Sequence, residues 1–226
     1  MPVVFKTENL CREFFQGRQR IHALKNVSIE VEEGKMTILR GRSGSGKTTL
    51  MNLLGSLDRP TSGKIFFGSN EITTMSDLER DNIRRDSIGF VFQSVALISV
   101  MNAYENVEFG LRVANPGNRG EWDRIIKRSL TQVGLEKRMY HKPHQLSGGE
   151  QQRVAIARAI AHQPKVVFAD EPTAELDTHL GLRIVLLFKQ LVEKNGITVV
   201  MTTHDPSMNQ IADKVISLED GEIVNE

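Results

Sequence analysis

The sequence predicts an α/β fold in which strands and helices alternate about a mostly parallel sheet, with a helical stretch inserted between strands. Three observations carry that expectation. A glycine-rich loop at 41–48 lies between an apolar strand and a helix. Two short apolar runs, Val166-Val167-Phe168-Ala169 and Ile197-Thr198-Val199-Val200-Met201, have the make-up of buried parallel strands. Between them Leu180, Ile184, Leu187 and Leu191 recur at helical spacing and give a crossover helix one apolar face.

Taken in order, the chain before the loop reads as strands. Over 26–31, Val27, Ile29 and Val31 alternate with Ser28 and Glu30, the pattern of a half-buried strand. Glu32-Glu33-Gly34-Lys35 is a turn, and Met36 to Arg40 is the strand that feeds the loop. A helix is expected from Lys47 toward Gly55, and a strand at Lys64-Ile65-Phe66-Phe67. Asp77 to Asp86 interleaves acids with bases, which marks a solvated helix face rather than a binding patch. Ser87 to Phe92 is the next strand. The middle then turns helical, at Asn102 to Val113 and Trp122 to Val133 with a loop at Asn115-Pro116-Gly117-Asn118 between them, and stays so until Pro164. There is no internal repeat and no low-complexity segment.

The length, 226 residues, suits one α/β domain with a modest subdomain. Lys plus Arg less Asp plus Glu is 29 − 28, or +1, so bulk positive charge does not mark a nucleic-acid binder and no nucleic-acid partner is expected. A single cysteine, Cys11, excludes an internal disulfide and a multi-cysteine metal site. No apolar run approaches the ~20 residues that span a bilayer. The N-terminus lacks a basic region followed by a long apolar core, so a cytosolic protein is expected.

Gly41-Arg42-Ser43-Gly44-Ser45-Gly46-Lys47-Thr48 is a complete GxxxxGK[ST] phosphate loop, and its strand-loop-helix setting marks an ATP or GTP enzyme. Its glycines let backbone amides and the helix N-terminus face a polyphosphate. Lys47 adds a point charge at the outer phosphates, the Thr48 hydroxyl is placed for Mg2+, and Thr49 follows in the opening helix turn. Leu146-Ser147-Gly148-Gly149-Glu150 opens a second helix whose N-terminus is either an ordinary capped end or a second anion site. There Ser147 is a good N-cap, and Gly148 and Gly149 permit close backbone approach.

With LSGGEQQR at 146–153, the chain resembles the ATP-binding subunits of ATP-binding-cassette transporters over essentially its whole length. The family's elements occur in order: Phe14, the loop at 41–48, Gln93, the LSGGE helix, Val166 to Glu171, Leu176-Asp177 and His204. The resemblance implies a P-loop NTPase core with a mostly parallel sheet, an antiparallel β subdomain and an inserted helical subdomain. It places the core at 1–92 and 163–226 and the helical part at 93–162. It further implies ATP and Mg2+ as cofactors and a head-to-tail dimer, in which Ser147, Gly148, Gly149 and Glu150 of one subunit close over ATP in the other. Lys47 and Ser147 lie 100 residues apart, which leaves no room for the coiled-coil insertion of related chromosome-maintenance ATPases.

Residue by residue, Asp170 ends an apolar strand and can hold Mg2+, and Glu171 beside it can act as general base on the attacking water, as the resemblance implies. By the same resemblance His204 contacts the γ-phosphate, Gln93 reaches Mg2+ or the water, and Phe14 stacks on adenine, with Phe15 the competing choice. Glu175 departs from the family's small or amide residue. The apolar run Val95-Ala96-Leu97-Ile98-Ser99-Val100-Met101 is either core or a surface that receives a helix from a membrane permease subunit. The overall pattern resembles the lipoprotein-release, macrolide-export and cell-division subgroup, peripheral on the inner face of the membrane. The alternative is a soluble regulatory or DNA-associated ATPase of the same type.

Overall fold

The apolar runs become adjacent central strands, and the rest of the fold is arranged on their two faces. The computed structural model describes residues 2–17, 19–114 and 119–225; the expected loop at 115–118 lies outside them. The first half runs β1 (Val3–Gln16), β2 (Gln19–Val27), β3 (Glu30–Glu32), β4 (Met36–Arg40), α1 (Lys47–Leu54), β5 (Ser62–Phe67), β6 (Asn70–Glu71), α2 (Asp77–Ser87) and β7 (Ile88–Val91). The second runs α3 (Ala103–Ala114), α4 (Trp122–Gln132), α5 (Gly148–Ile160), β8 (Val166–Ala169), α6 (Thr178–Asn195), β9 (Thr198–Thr203), β10 (Lys214–Glu219) and β11 (Glu222–Asn225).

The main sheet has the order β11-β10-β4-β9-β8-β7, all parallel except the edge strand β11. Every residue of β8 and β9 is buried, as parallel strands covered on both faces require. Side chains alternate between the two faces. Met36, Ile38, Val167, Ala169 and Val199 join one core with α3, α4, α5 and α6. Leu39, Val166, Phe168, Val200 and Ile216 join the other, with α1 and the antiparallel sheet β2-β1-β5-β6.

Three expectations are corrected. The single strand over 26–31 is two. Val27, Ile29 and Val31 are buried as the alternation requires, but the ladder breaks at Ser28. There Thr7 donates its hydroxyl to the Val27 carbonyl (3.0 Å) and accepts the Ile29 N–H (3.0 Å). One side chain thus replaces two strand bonds, and the chain rejoins β1 further along, with Val31 opposite Phe5. The crossover helix α6 buries Gly181, Ile184, Val185, Phe188, Leu191 and Val192, while Leu180 and Leu187 are only half-buried. Its apolar face is rotated toward Gly181, where a Cβ would lie 3.3 Å from the Met208 methyl and 3.4 Å from Thr173, while Leu187 still packs against the core. Finally, β9 extends two residues past Met201 and so carries Thr202 and Thr203 inside the sheet.

His162, just after α5, makes a ring-nitrogen contact with the Ile88 carbonyl at 3.1 Å, and burial pushes its pKa below the usual imidazole value. The folded protein therefore binds fewer protons here than the unfolded chain. This contribution to stability is complete above the unfolded pKa of ~6.5 and is lost as pH falls through the lowered folded value. Urea unfolding of wild type and His162→Gln should show the wild type losing stability relative to the variant as pH drops from about 7.5 to about 5.

Candidate active site

Parallel pairing brings the C-terminal ends of β4, β8 and β9 together, with Arg40 opposite Thr203 and Ala169 opposite Met201. The three turns that follow these ends carry the candidate residues, the position at which α/β sheets bind ligands. After β4 comes the phosphate loop. Gly46, at φ 103°, is the N-cap of α1 and provides no side-chain cap, so the first-turn amides stay directed at the loop. Cβ atoms at Gly41 and Gly46 would come within 2.3 Å of the Leu218 carbonyl oxygen and 2.6 Å of the Ala23 carbonyl oxygen, so the loop is wedged between β10 and β2. Lys47 is 5% exposed, and its Nζ donates to the carbonyls of Gly41 (2.8 Å) and Arg42 (3.0 Å), which lays the ammonium across the loop. Arg42, Ser43 and Gly44 are exposed, Ser45 is buried with its carbonyl bonded to the Gly221 N–H, and Thr49 is half-buried.

After β8 come Asp170 and Glu171. The Asp170 carboxylate accepts hydroxyl bonds from Thr48 (3.0 Å) and Thr202 (2.6 Å), while its N–H is held by the Val91 carbonyl. Glu171 has φ 43°, a left-handed conformation that costs a non-glycine residue on the order of 1 kcal/mol or more. Its N–H is taken by the Thr202 hydroxyl at 2.7 Å, and its Oε2 meets His204 Nδ1 at 3.2 Å. The turn that carries His204 is fixed by Thr203, whose hydroxyl accepts the Asp205 N–H at 3.1 Å.

The phosphate loop with Lys47 and Thr48, and Asp170, Glu171 and His204, are therefore gathered at the C-terminal ends of the central strands, while the LSGGE terminus packs elsewhere. Ser147 and Glu150 form a capping box: the Ser147 hydroxyl accepts the Glu150 N–H, and the Glu150 carboxylate accepts the Ser147 N–H at 2.9 Å. That backbone bond, helped by Arg138, holds the Glu150 carboxyl below its usual pKa. Gly148 and Gly149 lie against Leu176 and Leu180, at the entry to α6, whereas the phosphate loop lies against Leu218, Ala23 and Asp170. Gln93 is exposed, two residues past β7. Beyond it the Arg158 guanidinium holds the carbonyls of Val95 (3.3 Å) and Ala96 (2.8 Å), and Asn106 holds the Ile98 N–H (2.8 Å). In the apolar run Leu97 packs on the larger core and Val100 is 74% exposed, so the run is partly core and partly surface. Phe14 lies opposite Ile21 with the Arg12 guanidinium 4.5 Å over its ring, and Phe15 is the more exposed of the two.

Sequence reasoning passed over Thr202. The available signal was a pair of hydroxyl residues closing an apolar strand directly before His204.

A model of the ABC transporter family matches residues 24–174. The chain is 40% identical over 220 residues to the lipoprotein-releasing system ATP-binding protein LolD of Syntrophotalea carbinolica, covering 97% of this chain and 96% of that one. It is also 40% identical over 222 residues to the macrolide export ATP-binding/permease protein MacB of Vibrio parahaemolyticus, covering 98% of this chain but 34% of MacB. Among solved structures it matches the ATP-binding cassette MJ0796 of Methanocaldococcus jannaschii, a dimer in a post-hydrolysis state bound to ADP and Pi. That match has a TM-score of 0.88 and 42% identity and covers 98% of this chain and 97% of that one.

Lys47→Ala removes the ammonium that spans the loop. It should weaken ATP binding by about tenfold or more in a nucleotide titration, and unchanged affinity would remove Lys47 from this role.

Proposed function

The chain belongs to the ABC transporter family and is an ATP-hydrolysing transporter subunit, and we propose that two such cassettes pair head to tail to drive a separate membrane permease. In that pairing the Ser147–Glu150 terminus of one cassette closes over the ATP held by the phosphate loop of the other. The observation that carries this reading is the separation of the two anion-binding helix termini, one set against α6 and the other at the sheet edge. A dimeric relative bound to ADP and Pi supports it.

Within each site the Arg42 to Thr49 backbone and Lys47 bind the phosphates, and Phe14, or Phe15 in its place, offers a ring to the adenine. Thr48 and Asp170 fit Mg2+. They supply one hydroxyl and one carboxylate, already 3.0 Å apart at the loop mouth, which suits an ion that keeps water and phosphate oxygens for most of its shell. When bound, the ion neutralises charge on the outer phosphates. The amide of Gln93 joins this set as the segment after it moves. Glu171 takes the proton of the water that attacks the γ-phosphorus, as the bond to the ADP oxygen breaks. His204 orients that carboxylate through Nδ1 and offers its other ring nitrogen to the γ-phosphate.

We assign motion to residues 93–162, set into a core of 1–92 and 163–226. Leu57, Phe92, Phe109 and Val113 are exposed large apolar residues that line one open groove with Arg84, Arg85 and Arg158. Together with Ile98 and Val100 this is the surface offered to a permease helix. Among the described residues no helix is long and apolar enough to cross a membrane. In this reading the cassette sits on the cytoplasmic face of the membrane, held there by its permease partner, as a relationship to transporter ATP-binding proteins supports. The similarity to LolD and MacB supports membership of the lipoprotein-release, macrolide-export and cell-division subgroup.

Glu171→Gln should leave ATP affinity intact, reduce hydrolysis by about 100-fold or more, and accumulate a nucleotide-bound dimer on size exclusion. Near-native turnover would end the assignment of Glu171 as base. Ile98→Asp or Phe109→Asp should leave basal ATPase unchanged and lose the permease on co-purification from detergent-solubilised membranes. Normal recovery of the complex at full activity would place the docking surface elsewhere.

A further inference from the structure

We propose that Thr202 is the positioning residue of the hydrolytic site, the group that sets the two carboxylates relative to one another. Its side chain is fully buried at the end of β9. The single hydroxyl proton goes to Asp170 Oδ1 at 2.6 Å, and the oxygen accepts the Glu171 N–H at 2.7 Å. One hydroxyl thus bonds the side chain of the first carboxylate residue and the backbone of the second. Neither bond can be made by an apolar residue of the same shape.

The second bond matters because of where it falls. Glu171 is held at φ 43°, away from the ordinary regions for a residue with a Cβ. A strained backbone persists only when its surroundings over-determine it. Around this residue they do: Thr202 takes the N–H, the Glu171 carbonyl accepts the Ala174 N–H at 3.1 Å, and His204 takes the carboxylate. Without the Thr202 hydroxyl the N–H loses its partner and the turn is free to relax, which swings the carboxylate off its contact with His204. Asp170 at the same time loses its shortest bond and keeps only Thr48, the residue with which it would share a metal ion. Thr198, Val199, Val200, Met201 and Thr203 beside it in β9 are all buried, so no other side chain of the strand is free to supply the lost hydroxyl.

This inference rests on Glu171 being the base, and the experiment separates the two. ATPase kinetics are measured on the intact chain for Thr202→Val, Thr202→Ser and Glu171→Gln, with melting curves for each and with Mg2+ titrated at saturating ATP. Thr202→Val should lower kcat by about 10- to 100-fold, raise the half-saturating Mg2+ concentration, and leave the KM for ATP within about threefold. Thr202→Ser, which keeps the hydroxyl, should restore kcat to within about threefold of wild type. A Thr202→Val enzyme with native kcat, a Ser variant as impaired as the Val variant, or a loss confined to ATP affinity would each overturn the proposal. If Thr202→Val does not fold, Thr202→Ala is compared with Thr202→Ser on the same three readouts. If Glu171→Gln turns over normally, the base assignment fails whatever Thr202 does. If Glu171→Gln is inactive while Thr202→Val is native-like, only the positioning role fails.

Discussion

The carboxylate of Asp170 is the point on which the site depends. It stands at the end of β8, is reached from α1 by Thr48 and from β9 by Thr202, and is anchored through its own N–H to the last residue of β7. Four elements distant in sequence therefore converge on one residue. A partly buried charge needs such donors, because removing it from water without them would cost several kcal/mol. The same need that stabilises Asp170 in the fold gathers the phosphate loop, Glu171 and the histidine turn at the C-terminal ends of the central strands. In this sense the geometry of the site follows from satisfying one half-buried carboxylate.

The chain departs from relaxed backbone where this convergence requires it. Glu171 sits at positive φ directly after Asp170, and Gly46 and Gly41 sit where a side chain would strike the carbonyls of Ala23 and Leu218. The phosphate loop is thus held by neighbouring strands β2 and β10 as well as by its own Lys47 bonds to Gly41 and Arg42. The antiparallel sheet and the C-terminal hairpin act as its walls. Strain and close approach concentrate here, while the strands beneath are ordinary buried parallel strands.

The inserted helices are not a separate body resting on the sheet. Val107, Leu111, Ile126, Leu130, Val154 and Ile156 share one apolar cluster with Met36, Ile38, Val167 and Val199. Beside that cluster Arg158, on the helix that begins at Ser147, holds the carbonyls of Val95 and Ala96 just past Gln93. Burial lowers the pKa of this guanidinium, and its stem crosses α3 where Gly110 leaves room, a Cβ there falling 2.5 Å from Arg158 Cγ. In the proposed dimer, movement of the segment after Gln93 would reach the helix that closes over the partner's nucleotide through these two bonds. A packed interior transmits such a shift because it has little free volume to absorb it.

The sequence by itself determined the features that are local. The phosphate loop, the start of α1, the Ser147 cap, the strand ending in Asp170-Glu171 and the strand before His204 are each written in a few consecutive residues, because glycine freedom, capping and periodicity act over one or two turns of chain. The same residues carried the family. Only the tertiary structure decided the break in the strand at 26–31, the rotation of α6 toward Thr173 and Met208, and the role of Thr202. Each of these is set by a partner far away in the chain. Thr7 acts 20 residues from Val27, Met208 27 residues from Gly181, and Thr202 32 residues from Asp170. A hydroxyl at the end of an apolar strand reads as a packing residue until the fold shows which anion lies beside it, and no pattern within β9 contains that anion.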